Sequence, residues 1–263
     1  INDFLATRFI LASLVMMLVR PSVLKKINWD VLRTGLPLGF MLGGGYITQT
    51  IALQETTAAI TAFLTGLYVV LTPLLGWVVL RQKVERKVFI GVALATIGLA
   101  FITFNGFSVE AGEIWGILCA LLYAAHIVGL GVWSRGRDIY AMTVVQLGGV
   151  ALLTSVFALF DGYQAPPTPD VWIAILFTAV LATAVAFFVQ TWAQSKMDAS
   201  RVAIILTSEI VFAALIAVLV GQEQLSINTT IGGALMVAAM LLVEWPSRKA
   251  PVAAELLSTP HLE

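Results

Sequence analysis

Uninterrupted apolar runs of about 18 or more residues recur along the whole chain, and their length limits what it can fold into. A helix of about 20 apolar residues crosses the hydrocarbon core of a bilayer, which is roughly 30 Å thick. The pattern therefore predicts membrane-spanning helices. Charged and turn residues divide the runs into nine predicted spans, at 4–20, 34–54, 57–80, 88–104, 114–133, 140–160, 171–194, 200–220 and 228–245.

The composition supports the same fold class. Hydrophobic residues make up 59% of the chain and charged residues 11%, with a mean hydropathy of +0.95. Soluble domains carry about 25% charged residues. We therefore predict an all-α membrane protein. Three prolines follow Trp245, and we expect residues 246–263 to form a disordered cytoplasmic tail.

The basic residues predict the orientation of the spans. Fourteen of the fifteen Lys and Arg residues follow the first, third, fifth, seventh and ninth spans. By the positive-inside rule these connections and the C-terminus are cytoplasmic, and residue 1 lies outside. The remaining one, Arg8, lies in the first span, where we expect a structural arginine that is hydrogen-bonded or snorkels to the interface. The intervening connections carry only acidic charges, from Glu55, Glu110, Glu113, Asp161, Asp170 and Glu223.

Several function classes lack their sequence signatures here. The formal net charge is zero and basic residues never form a long patch, so we expect no nucleic-acid partner. The chain has only two histidines, no His-Glu-x-x-His motif and no glycine-rich phosphate loop. We therefore expect neither an intramembrane enzyme nor an ATP-driven pump, and no metal or other cofactor.

The chain repeats itself at an offset of 141 residues. The segment QTIALQETTAAITAFL (49–64) aligns with QTWAQSKMDASRVAII (190–205), and IGVAL (90–94) aligns with IGGAL (231–235). The order of long spans and short links agrees as well. This internal similarity predicts two structural repeats.

The predicted topology inverts one repeat relative to the other. The 34–54 span runs outward from the cytoplasm, whereas its counterpart at 171–194 runs inward. We assign residues 1–104 to a first repeat with four visible helices and residues 105–245 to a second with five. Equal repeats require one more helix before residue 1, which makes two inverted five-helix repeats and ten helices. Inverted repeats are typical of secondary transporters, which bind substrate near the midplane between them.

Five features of the chain follow the pattern of a known family. They are TRFILASL (7–14), the paired spans at 44–80 and 185–220, SEIVFAALIAVLVGQE (208–223), IGVALATIGLAFI (90–102) and IGGALMVAAMLLV (231–243). In these features the chain resembles the EamA family of the drug/metabolite transporter superfamily. The similarity extends from residue 1 to about residue 245. Within SEIVFAALIAVLVGQE, Ile210 stands where the family often has proline, and the final GQE is similar to the family's Leu-Gly-Glu.

The resemblance implies a fold and a function. It implies ten helices in two inverted repeats, with a central cavity lined by the first four helices of each. It also implies export of amino acids or other metabolites across a bacterial inner membrane by alternating access without ATP. The expected partners are a small-molecule substrate and the lipid bilayer, and we expect a monomer.

Glu209 is the most unusual candidate for the functional site. It lies close to the centre of its span, where a charge costs about 2.5–3.5 kcal/mol, so it should face the bundle or a cavity. Three roles are compatible with this position: proton coupling, a structural hydrogen bond to another helix, and direct substrate contact. The 141-residue offset aligns Glu209 with Tyr68, which makes Tyr68 a second cavity candidate.

Other polar residues within the spans complete the set of candidates. Gln49 and Gln190 are aligned by the repeat and must bond across helices or line a wet cavity. His126 could contact substrate or shuttle a proton, or it could be a satisfied core residue. The further cavity candidates are Tyr123, one turn before His126, together with Tyr46 and Gln146.

The sequence thus favours a secondary transporter that exports a small amphipathic metabolite such as an amino acid. A gradient-independent facilitator or channel on the same scaffold is the alternative.

Overall fold

A computed structural model describes residues 2–56, 58–81, 84–103, 111–160, 162–219 and 227–245. The predicted tail at 246–263, the GQE segment at 221–223 and the acidic residues Glu110 and Asp161 lie outside these residues. The helices are α1 (Asn2–Val19), α2 (Trp29–Glu55), α3 (Ala58–Gly66), α4 (Tyr68–Leu80), α5 (Arg86–Thr103), α6 (Ala111–Trp133), α7 (Ile139–Phe160), α8 (Pro169–Ala179), α9 (Ala186–Gln194), α10 (Ala199–Leu206), α11 (Ser208–Leu219) and α12 (Ile227–Glu244).

Every predicted span is helical, and the described chain contains no strand, so the all-α membrane class is confirmed. Five helical segments of the described chain are by themselves long and apolar enough to cross a bilayer. They are Asn2–Val19, Ile60–Leu80, Gly112–Trp133, Ile139–Phe160 and Pro169–Gln194. The helix boundaries differ from the predicted ones by a few residues, because polar flanking residues such as Asn28 and Asp30 join the first turn of a helix.

Two of the predicted spans are interrupted near their middle, at positions that correspond within one residue under the 141-residue offset. Between α3 and α4 the amide of Leu67 donates to the carbonyl of Leu64, three residues back. Between α10 and α11 the amide of Thr207 donates to Ile204 in the same way. A change from four-residue to three-residue hydrogen bonds tightens the helix locally. The second interruption forms although Ile210 stands where the family often has proline.

The contacts between helices follow a pseudo-two-fold relation between the halves. The offset makes α1 equivalent to α7, α2 to the α8–α9 segment, α3–α4 to α10–α11, and α5 to α12. Equivalent helices pack against each other in the pairs α1 with α7, α4 with α10, and α5 with α12. The contact of α2 with α7 has its counterpart in the contact of α1 with α8. The two halves therefore form one bundle around a shared interface.

Glycines close the contact between α2 and α7. A Cβ atom added at Gly39 would overlap the carbonyl oxygen of Gln146 and would lie 2.9 Å from the Cα of Gly149. The two backbones touch there, which is the packing that small residues permit between membrane helices.

The equivalent contact between α1 and α8 is built differently. Adding the offset of 141 to position 8 gives 149, so Arg8 stands where the other half has Gly149. Opposite Arg8, the chain between α8 and α9 widens into a π-helical turn at Val180–Val185. A π-turn leaves backbone carbonyls outside the regular helical pattern. The large side chain of Arg8 thus coincides with the place where the two halves differ most in backbone.

Ion pairs connect the N-terminal end of α2 and the segment before it to the link between α6 and α7. Asp30 accepts from Arg137 at 2.6 and 3.1 Å and also from Arg33. Hydrogen bonds from Arg137, and then from Arg33, lower the pKa of Asp30 to about 2. Lys26 pairs with Asp138 at 2.9 Å. This network connects the start of α2 to the link between α6 and α7.

The glycine contact yields a stability prediction. We expect Gly39→Ala to destabilise the protein by about 1–3 kcal/mol, because the added methyl group forces α2 away from the backbone of α7. The matched control is Gly148→Ala, where nothing lies within 4 Å of the added Cβ. Alanine is the better helix former, so this control should be neutral or slightly stabilising. Thermal unfolding of both variants in detergent measures the difference, and equal midpoints would contradict the proposed backbone contact.

Candidate functional site

A cavity of about 380 Å³ opens between the two halves of the bundle. Its walls come from α2, α3 and α4 of the first repeat and from α6, α9, α10 and α11 of the second. The lining residues are Leu42, Tyr46, Gln49, Ala62, Thr65, Gly66, Tyr68, Tyr123, His126, Ile127, Phe187, Gln190, Leu206 and Glu209.

Seven of the eight residues proposed for the cavity from the sequence line it. The exception is Gln146, which is fully buried in α7 behind the lining and contacts the cavity wall through His126. The structure therefore brings together residues that are up to 163 positions apart, from Tyr46 to Glu209.

Glu209 lies in the first turn of α11, directly after the helix interruption at Thr207. Its repeat partner Tyr68 is the first residue of α4, directly after the other interruption. Both side chains line the cavity. Glu209 is exposed and makes no hydrogen bond or ion pair with any other residue that the structure describes. A structural hydrogen bond to a neighbouring helix, one of the three roles that the sequence left open, is thus not formed within the described chain.

His126 belongs to a directional chain of hydrogen bonds. The hydroxyl of Thr191 donates to the carbonyl of Phe187 at 2.7 Å, so its oxygen accepts from Nε2 of Gln146, also at 2.7 Å. That leaves Oε1 of Gln146 facing Nε2 of His126 at 3.0 Å. An amide oxygen only accepts, so the proton is on Nε2 of His126. The terminal carbonyl therefore sets the direction of every bond in the chain.

The two aligned glutamines bond in different ways. Gln49 accepts from the hydroxyl of Tyr123 at 3.1 Å, across α2 and α6. Gln190 donates to Gln194 one turn further along at 3.1 Å, and Gln194 donates to the carbonyl of Ile127 at 2.6 Å. Both glutamines line the cavity. Gln49 bonds directly across two helices, whereas Gln190 bonds within α9 and only its partner Gln194 reaches α6.

Aromatic rings form much of the cavity wall. Tyr46 packs edge-to-face between Phe9 and Tyr123, with ring centroids 5.1 and 5.8 Å apart. Phe187 packs edge-to-face against His126 at 6.4 Å. Tyr68 completes the aromatic part of the lining. These rings present faces and hydroxyl groups rather than ionic charges.

Arg8 lies next to this wall and is held by the π-helical turn between α8 and α9. Its Nε donates to the hydroxyl of Thr183 at 2.6 Å, and its Nη2 donates to the carbonyl of Ala182 at 3.3 Å, both in the π-helical turn. Its guanidinium lies 5.8 Å from the ring centroid of Tyr46. Arg8 is not among the described residues that line the cavity. These bonds fit the hydrogen-bonded structural arginine that the sequence predicts.

Sequence reasoning missed several residues that shape the site. Thr191 is the second residue of the Gln-Thr pair that the repeat aligns, so the alignment already contained a signal for it. Thr183 and Phe187 carry no such signal, because only the fold brings them to Arg8 and His126. In the parts of the chain that the structure describes, no group of three His, Cys, Asp or Glu residues could hold a metal ion.

These features define a multi-pass helical membrane protein with a partly polar cavity between two similar halves. The profile of the EamA-like transporter family matches residues 1–104 and 110–245. The chain belongs to this family of transporters.

Individual proteins with similar sequences are also named as transporters. An uncharacterized transporter of Archaeoglobus fulgidus is 33% identical over 217 residues, which cover 82% of this chain and 70% of the relative. The uncharacterized transporter YetK of Bacillus subtilis is 26% identical over 211 residues, covering 73% of this chain and 62% of YetK. One solved crystal structure superposes with a TM-score of 0.79 at 17% identity, covering 98% of this chain and 89% of the other. At that identity the structural match supports the fold alone.

The hydrogen-bond chain behind His126 gives a second prediction. We expect Thr191→Val to cost about 1–3 kcal/mol, because it leaves the buried amide of Gln146 without an acceptor. The control is Thr154→Val in α7. Thr154 is equally buried, but its hydroxyl bonds only to carbonyls of its own helix. Denaturation of both variants in detergent tests this, and an equal loss of stability would contradict the role of Thr191 as the buried partner of Gln146.

Proposed function

We propose that the protein is a secondary transporter that exports a small amphipathic metabolite across a bacterial inner membrane by alternating access. Amino acids are the first candidates, and transport rather than catalysis is the activity. The observation that carries the proposal is the cavity between pseudo-symmetric halves, with the aligned residues Tyr68 and Glu209 at its wall. Secondary transporters place their substrate sites at such repeat interfaces, beside discontinuous helices.

The two interrupted helices suit alternating access. Each has a three-residue hydrogen-bonded turn beside the cavity, at Leu67 and at Thr207. A short turn of this kind is a common place for a helix to bend. The α2–α7 pair, in contrast, is tied by the backbone contact at Gly39 and should move as a unit. We therefore assign bending to α3–α4 and α10–α11, which would open the cavity alternately to the two sides.

Glu209 is the proposed proton-coupling group. Its carboxylate lines the cavity without an ion pair to another described residue, so a proton and a substrate can compete for it. The groups that face it from the other walls are Tyr68 on α4, Tyr46 on α2, and Tyr123 and His126 on α6. The intramembrane cation that the structure describes near this wall is Arg8, whose guanidinium lies 5.8 Å from the ring centroid of Tyr46.

The surroundings of the bundle are proposed to be lipid. Large apolar side chains are exposed around its outside, among them Leu18, Trp77, Phe160 and Trp192. Such a surface is expected where hydrocarbon replaces water. The end with the Asp30–Arg137 ion pair is proposed to face the cytoplasm together with the C-terminus, and the chain is proposed to act as a monomer.

The experiment is counterflow in proteoliposomes with a panel of metabolites, followed by flux under an imposed pH gradient. If one proton accompanies each substrate molecule, a gradient of one pH unit should drive up to about tenfold accumulation. We expect Glu209→Gln to abolish this pH dependence and to leave a folded protein. The matched control is Glu55→Gln, an exposed carboxylate at the end of α2 outside the cavity lining, which should keep it.

Two results would contradict parts of this proposal. Unchanged pH dependence in Glu209→Gln would exclude the coupling role. Counterflow that no gradient affects, already in the unmodified protein, would identify the gradient-independent facilitator instead.

A further inference from the structure

The direction of the hydrogen-bond chain determines what His126 can offer a ligand. Its Nε2 donates to Gln146, so in the neutral ring the lone pair is on Nδ1. Gln146 lies behind the wall, whereas His126 lines the cavity. Nδ1 makes no hydrogen bond to the part of the chain that the structure describes. In this tautomer the ring nitrogen of His126 that remains for a ligand is an acceptor and not a donor, on a side chain that is 1% exposed.

The ionic charge of the cavity lining also favours a ligand with a positive charge. Among the described lining residues there is one carboxylate, that of Glu209, and no Lys or Arg. The cation nearest to this wall, Arg8, is bonded to Thr183 and Ala182, lies 5.8 Å from the ring centroid of Tyr46 and is not one of the described lining residues. A ligand's carboxylate would meet a like charge in this cavity, whereas a cation would meet an opposite one.

The aromatic rings of the cavity wall are a third feature that favours a cationic ligand. The rings of Tyr46, Tyr68, Tyr123 and Phe187 line the cavity together with Glu209. The negative face of an aromatic ring attracts a cation within about 6 Å, most strongly when the cation is desolvated. Aromatic rings around a carboxylate are therefore suited to an organic cation.

We propose that the cavity recognises a protonated amine, with the ammonium group held between the carboxylate of Glu209 and Nδ1 of His126 and against the aromatic rings. This inference rests on the proposed function and names the substrate class of the same cavity. The amine is the recognised group, and a carboxylate on the ligand is not required. Gln146 and Thr191 act as positioning residues, because they keep the proton of His126 on Nε2.

The test compares three probes that share a phenyl ring and have similar lengths: phenethylamine, 2-phenylethanol and 3-phenylpropanoate. Binding to the full chain in detergent is measured by isothermal titration calorimetry at neutral pH. We expect the amine to bind about tenfold or more tightly than the alcohol or the acid, because charge-assisted hydrogen bonds are the stronger ones. Equal or tighter binding of the alcohol or the acid would overturn the proposal, as would a failure of the amine to bind.

Variants of Glu209 and His126 test whether these residues produce the preference for the amine. Glu209→Gln should reduce the preference for the amine over the alcohol to near parity, while Glu55→Gln should retain it. His126→Gln keeps a group that can donate to Gln146 but removes the acceptor at Nδ1, so it should lose affinity for the amine. His126→Asn places an amide oxygen near the position of Nδ1 and should retain more of it. An unchanged preference in folded Glu209→Gln overturns the proposal even if the His126 variants do not fold.

The binding measurement and the counterflow assay together separate this inference from the transport function. Preferential binding of the amine without counterflow would overturn the proposed transport and leave the amine assignment standing. Counterflow of phenylalanine methyl ester and of N-acetylphenylalanine with equal affinity would overturn the amine assignment and leave transport standing.

Discussion

A polar side chain in the hydrocarbon core of a bilayer has no water to bind, so it needs a partner in the protein or in a cavity. This constraint organises the polar residues of the structure. The buried Gln146 is satisfied on both sides, by His126 and by Thr191. Arg8 is satisfied by the π-helical turn. Glu209 has no such partner among the described residues, and it is also the carboxylate that lines the cavity. Glu209 is thus the charged group of the candidate site that the described helices leave available to a ligand.

The two halves share one plan but differ in detail. At the contact of α2 with α7, Gly39 and Gly149 bring two backbones together. At the equivalent contact of α1 with α8, Arg8 replaces the glycine and the helix opposite it opens into a π-turn. Likewise Tyr68 in one half is Glu209 in the other. Among the described residues that line the cavity, this last difference supplies one carboxylate.

Much of the architecture could be predicted because it depends on local properties. Run length and apolarity located every described helix within a few residues, and the 141-residue repeat aligned Tyr68 with Glu209 before their shared cavity was known. The two helix interruptions were not predicted. Neither turn contains a proline, and although Gly66 precedes Leu67, a glycine is common within membrane helices and does not by itself predict an interruption. The change to three-residue hydrogen bonds depends on how these helices pack. The π-turn opposite Arg8 was missed for the same reason, since neither sequence segment alone specifies its neighbour.

The sequence by itself determined the fold class, the number and place of the spans in the described chain, and the residues of the membrane interior that carry polar groups. These follow from the cost of exposing backbone and charge to hydrocarbon, which acts on each segment separately. Only the tertiary structure decided that Gln146 lies behind the cavity and His126 at its wall, that Arg8 bonds to Thr183, and that Glu209 stays unpaired within the described chain. Hydrogen-bond partners more than one hundred residues apart depend on which faces of the packed helices meet, and helical periodicity leaves that choice open.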